Sequence, residues 1–244
     1  VYNQINKFKL CKTNIIQINK KYTENYNSEL YKQNSSSHLL YNNIQIFKHA
    51  ENNNFNNILI LEDDFIFDNR ILDKNVLNDL DNFINNYEFD IYSLGNIPLI
   101  LSPFLLTKHP KMLNGGGAHS IILTKGIRNL LIDKYENDID WLINSRGHID
   151  WIYTTNNFNY NIYYKPLCYQ TFPKTENMDT WDQDLNIILK FFNKLIIFLI
   201  PLLKLDKQSQ PGFDIIYIFS YTLSISLYLF IIYIIYKLYQ KYLK

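Results

Sequence analysis

The feature that most constrains this chain is a run of 22 residues without a charge, Ile215 to Tyr236 (IIYIFSYTLSISLYLFIIYIIY). As a helix rising 1.5 Å per residue it reaches about 33 Å, enough to cross a hydrocarbon core of roughly 30 Å. Its Ser and Thr hydroxyls can bond back to the helix, and its Tyr rings suit the interfaces. Lys237, Lys241 and Lys244 close the far end. The bland alternative is a core helix, which a globular protein seldom builds at such length.

The run before it, Asn186 to Lys204, is also apolar but contains Lys190 and Lys194. Two lysines at mid-bilayer would cost about 2.5–3.5 kcal/mol each. At 100° per residue Asn186, Lys190, Asn193, Lys194 and Lys204 share one stripe. The pattern predicts an amphipathic helix lying in the membrane surface and broken near Pro201. Lys207 to Gly212 (KQSQPG) is a turn. The organisation is thus a domain over 1–185, a surface helix and turn over 186–212, and a transmembrane anchor over 213–244.

Over the whole chain the charge balance, 24 Lys+Arg against 23 Asp+Glu, gives no reason to expect a nucleic-acid partner. Cys11 and Cys168 are too few for a disulfide framework, and the one sequon is Asn34-Ser35-Ser36. The cysteines read as a reducing compartment or as indifference to redox state, and a single sequon, where this many Asn, Ser and Thr would give about three by chance, points the same way. No signal peptide is visible and the chain starts at Val1, which reads as a fragment. The charge-free run ends eight residues before the last one, so it is expected to act as a single-pass C-terminal anchor with the domain in the cytosol, a lumenal domain being the alternative if a signal once preceded Val1.

Strand patterns at 14–19, 57–61, 89–95, 118–123 and 159–164 alternate with helical patterns at 40–52, 75–87 and 125–135. That order predicts an α/β fold with a mostly parallel sheet and a site at the strand carboxyl ends. The sharpest local signal lies there. In ILILEDDFIF an apolar strand ends in Glu62, Asp63 and Asp64. Three carboxylates so close repel unless water screens them or a cation is shared, and carboxylate oxygens select hard ions such as Mn²⁺ or Mg²⁺. An acidic surface turn is the alternative reading.

Downstream stand FDIYSLGN, GGGAHSIILTKGIRNLL, HIDWIY and YYKPLCYQTFPKTEN. With LILEDDFIF, this series over roughly Leu40 to Trp181 resembles glycosyltransferase family 25, the lipooligosaccharide-biosynthesis and procollagen galactosyltransferase group. The closeness is greatest to its giant-virus members, whose PGFDIIY tail and terminal hydrophobic helix also look similar. The resemblance implies a GT-A-like fold in which Glu62, Asp63 and Asp64 hold Mn²⁺ or Mg²⁺ against the diphosphate of a UDP-sugar. It also implies inverting transfer of a hexose, galactose or glucose, to a glycan or protein hydroxyl.

On that resemblance Asp150 in HIDW is the expected general base, with Asp140 in DIDW its rival; helix capping is the other reading of Asp150. Donor contacts are expected from Gly95, Asn96, Gly116, His119 and Gln170, with Gly115 to Gly117 as a loop over the sugar. Each has a plainer reading as a turn, a linker or a structural polar group. Two departures matter. No opening strand with a Leu-Asp or Leu-Asn signature precedes Asn3 to Leu10, and Asn42 and Asn43 stand where the family has Ser-His. A catalytically inactive membrane-bound carbohydrate-binding or scaffold protein is therefore the alternative function.

Overall fold

The computed structural model describes residues 2–8, 10, 35–102, 107–135, 149–171, 187–205 and 211–242. Its elements in chain order are helices α1 (Tyr2–Phe8) and α2 (Ser35–Asn52), strands β1 (Asn57–Leu61) and β2 (Phe65–Phe67), a 3-10 turn (Asn69–Leu72) and α3 (Lys74–Asn86). There follow β3 (Ile91–Ser93), β4 (Ile97–Leu101), β5 (Met112–Gly116), β6 (Ser120–Thr124), α4 (Lys125–Tyr135) and α5 (Ile149–Thr155). The chain continues through β7 (Tyr160–Ile162), β8 (Cys168–Gln170), α6 (Ile187–Leu202) and α7 (Pro211–Tyr242). The strand expected at 14–19 lies outside the described residues.

The fold is mixed α/β. The main sheet has the order β1-β6-β3-β7, and its pairings correct the expectation of a mostly parallel sheet. β1 and β3 both pair antiparallel with β6, and only β3 and β7 pair in parallel. Strands β1, β3 and β7 do run one way. The reason for the reversal is the excursion after β3: the chain leaves through β4, returns through β5, and β6 re-enters at the end where β3 left. β6 also sits between β1 and β3, so the connection from β1 to β3 through α3 skips one strand position.

Period-2 alternation gives the sheet two buried faces. On one, Ile91, Ile121 and Leu123 meet Leu40, Ile44 and Phe47 of α2, Leu131 of α4 and Ile152 of α5. On the other, Tyr92 and Ile122 meet Leu80 and Phe83 of α3, together with Phe8 of α1 and Phe65 and Phe67 of β2. β2 and β8 form a two-stranded ribbon, with Phe65 opposite Gln170 and Phe67 opposite Cys168. β1 is an edge among the described residues, pairing only with β6, and its NILIL run is half-buried rather than fully enclosed.

The tail is not a detached appendage. α6 ends one residue after Pro201, and Lys204 at φ 54 turns the chain so that Leu205 joins Ile200, Tyr169 and Phe213 in an apolar cluster. Phe213–Lys241 of α7 is long and apolar enough to cross a membrane. Its first half packs on β4, and Tyr217 belongs to the core on one face of the sheet. Ser220 Oγ donates to the Pro98 carbonyl, the Leu101 amide donates to Ser224 Oγ (2.9 Å), and Tyr228 Oη donates to the Leu101 carbonyl (2.7 Å). At the helix start Arg70 clamps Asp214 through both carboxylate oxygens at 2.7 and 2.6 Å. Contacts thus run from α7 and the end of α6 back to Tyr169 and β4.

Candidate functional site

The strand directions place the carboxyl ends of β1 and β3 and the amino end of β6 at one end of the sheet. Glu62, Asp63 and Asp64 follow β1, Leu94, Gly95 and Asn96 follow β3, and His119 precedes β6. Backbone bonds lock the arrangement. The Glu62 amide donates to the His119 carbonyl (3.0 Å), the Leu94 amide to Ser120 (3.1 Å) and the Cys168 amide to Leu94 (3.1 Å). β8 is thereby carried to the same end, and Gln170 Nε2 lies 3.4 Å from Glu62 Oε2. Four segments scattered over 109 positions of sequence, Glu62 to Gln170, meet in space.

Within the acidic turn the three carboxylates differ. Asp63 is exposed, whereas Glu62 and Asp64 are half-buried. The Asp64 carbonyl accepts from the Thr171 amide (3.0 Å), tying the turn to the end of β8. Burial pushes the Asp64 carboxyl above the ordinary carboxylate range; a hydrogen bond from Gln170 opposes the shift and the charge of Asp63 adds to it. Asp64 Oδ1 is buried with no hydrogen-bond partner among the described residues. A buried orphan oxygen beside a second carboxylate suits a hard divalent cation. No group of three His, Cys, Asp or Glu side chains converges among the described residues. The protein would supply one or two oxygens, and a bound diphosphate would complete the shell, as is usual for nucleotide-bound Mg²⁺.

The expected donor contacts take different places. Gly95 is held by close packing, because a Cβ there would stand 1.8 Å from the Cys168 carbonyl oxygen. Asn96 is fully buried, donating to the Met112 sulfur (2.9 Å) and accepting from Tyr217 Oη (3.2 Å). Gly115 and Gly116 are not in a loop but in β5, paired with Pro98 and Ile97. Only Gly117, at φ 100, turns the backbone where a side chain would be strained. Gly116 leaves open space where a Cβ would be. Asp140 lies outside the described residues. Asp150 falls within α5, so it does not precede that helix as a cap would; its side chain lies outside those described.

His119 is 1% exposed, its ring packs edge-on to Phe213, and among the described residues neither ring nitrogen meets a partner in hydrogen-bonding geometry. Burial lowers its pKa from 6.5 to about 4, against the weaker pull of the Cys168 carbonyl. The native ring therefore stays neutral while an unfolded His takes up a proton. Stability present above 6.5 is lost progressively as pH falls towards about 4. Denaturant midpoints measured over that window in detergent are expected to decline, and to decline less in His119→Leu. Identical slopes for the two proteins would show that the ring is solvated.

Sequence reasoning missed Phe213 and Tyr217, which cover His119 and Asn96. Their signal is indistinguishable from that of a membrane helix. Two cavities open elsewhere. One of about 390 Å³ lies at the opposite end of the sheet, beside Asn57, Glu88, Asp90 and Asn159. The other, of about 440 Å³, lies between α7 and Arg70, Tyr164 and Lys165.

No family model matches the chain, and no curated protein matches it either.

Proposed function

We propose that this chain is a membrane-associated glycosyltransferase that moves a hexose from a UDP-sugar to a glycan or protein hydroxyl, with inversion and with help from Mn²⁺ or Mg²⁺. The observation that supports it is the meeting of Glu62–Asp64, Leu94–Asn96, His119 and Gln170 at one end of the sheet. Open α/β sheets place their ligands at strand carboxyl ends. Asp64, with its orphan oxygen, and Asp63 hold the cation, and Gln170 keeps the acidic turn in register with β8. Bound there, the cation supplies neutralisation of charge on the departing diphosphate. Asp150 takes the proton from the acceptor hydroxyl, and Asp140 is the rival for that role.

A second reading, a carbohydrate-binding or scaffold protein without turnover, is favoured by the burial of Asn96 and His119 beneath Tyr217 and Phe213. Titration calorimetry with UDP and Mn²⁺ on the full chain tests both. Asp64→Asn removes an ionised ligand at constant volume and is expected to abolish the metal-dependent part of UDP binding. Unchanged affinity in that variant would remove Asp64 from the site. Metal-dependent binding without UDP release from any UDP-hexose would favour the second reading.

A further inference from the structure

The docked half of α7 has two unlike faces. Phe213, Tyr217, Ser220 and Ser224 recur at helical spacing and are buried against the domain. On the opposite side Ile215, Ile218, Phe219 and Ile225 are between 47% and 66% exposed. Beyond the last docked residue, Tyr228, every side chain from Leu229 to Lys241 is exposed. The charge-free part of that free half, Leu229 to Tyr236, rises only about 12 Å against a hydrocarbon core of roughly 30 Å. A helix that crosses a bilayer and keeps its docking contacts must therefore have its docked half in the membrane too.

We propose that α7 enters the bilayer while docked. Acyl chains cover the outer face of its first half, and the domain is seated against the membrane with the β4–β5 ribbon at the hydrocarbon boundary, instead of swinging on a tether. The chemistry of β4 argues for this. Among the described residues β4 pairs on one side only, with β5. Its outer backbone groups, the Pro98 carbonyl and both the amide and the carbonyl of Leu101, are taken up by Ser220, Ser224 and Tyr228. In water an edge needs no such partners, whereas in hydrocarbon each unpaired backbone group costs several kcal/mol. Beside these bonds the register shifts between Pro98 and Ile100, and the intervening Leu99 is exposed, as is Leu113 on β5. The outer face of the docked half is continuous with the all-round apolar free half, so one bilayer covers both. The Arg70–Asp214 pair fixes the angle at which the helix leaves the domain.

The test places a polarity-sensitive fluorophore on single cysteines in the full chain. A Cys11→Ser background is used, since Cys168 is buried. Leu99→Cys, Leu113→Cys, Ile232→Cys and Tyr87→Cys are all exposed positions, and Tyr87 stands beside the Asn57 and Asp90 end of the sheet. The proteins are reconstituted in phosphatidylcholine and phosphatidylglycerol vesicles with or without brominated acyl chains. The expected result is a loss of emission at Leu99→Cys and Leu113→Cys matching that at Ile232→Cys, with none at Tyr87→Cys. Quenching at Ile232→Cys alone would overturn the proposal, because the helix would then cross undocked. Quenching at none of them, with disulfide capture of Ile218→Cys between two copies, would overturn it in favour of a protein-covered face.

Discussion

Arg128→Met is expected to lower the stability of the chain by about 3–5 kcal/mol, the range for removing one partner of a buried ion pair. Arg128 on α4 is fully buried. Its Nη1 donates to the carbonyls of Asn56 and Leu123, both at 3.0 Å, and its Nη2 donates to Glu51 Oε1 (2.8 Å) and to the Phe55 carbonyl. One guanidinium thus joins α4, the end of α2, the turn into β1 and the end of β6. Methionine fills similar space but donates nothing, leaving three carbonyls to find water or go unpaired and Glu51 with only its longer contact to Lys125 Nζ (3.6 Å). Thermal and denaturant unfolding in detergent measure the loss. The paired change Arg128→Met with Glu51→Met is expected to recover part of it, because an apolar pair leaves no uncompensated charge. A single variant within about 1 kcal/mol of the parent would show that the pair is solvated rather than buried.

On the proposed transferase reading, Asp150→Asn is expected to reduce turnover by about 10² to 10⁴ while leaving UDP-sugar affinity near its starting value, the signature of a general base needed mainly in the transition state. α5 is a firm support for such a group. Ile149, Ile152 and Tyr153 are buried in the core, and the helix packs on β5 and α2. Asparagine preserves shape and hydrogen bonding but cannot accept the hydroxyl proton. UDP release at saturating donor, compared with donor binding by calorimetry, separates the two effects. If Asp140→Asn loses turnover and Asp150→Asn does not, the base is Asp140.

Local patterns were enough for much of the architecture. β1 and α4 have the limits their sequences imply, Asn57–Leu61 and Lys125–Tyr135, because an unbroken apolar strand and a 3.6-residue repeat each bury one surface whatever lies around them. α3 is similarly legible, since Asp73 caps the helix through the Asn75 amide (2.8 Å). The β4–β5 ribbon was not legible. Pro98 and the glycines of GGG weaken any strand signal, and only their mutual pairing makes them strands. The placing of β6 between β1 and β3 depends on that excursion, so the sheet's pairing could not be read from the order of its strands.

The sequence by itself determined that the chain has strand-end carboxylates at Glu62, Asp63 and Asp64 and a helix able to cross a membrane, since charge and apolar length are properties of the residues in order. Tertiary structure alone decided where those features meet. It brought Gln170 to the acidic turn across 106 positions from Asp64, sealed Asn96 and His119 beneath Tyr217 and Phe213, and chose which face of α7 turns inward. The physical reason is that α7 is apolar on every side, so hydrophobicity selects no face. The choice falls to Ser220, Ser224 and Tyr228, whose hydroxyls reach the outer backbone edge of β4, a partner that exists only once β4 has paired with β5.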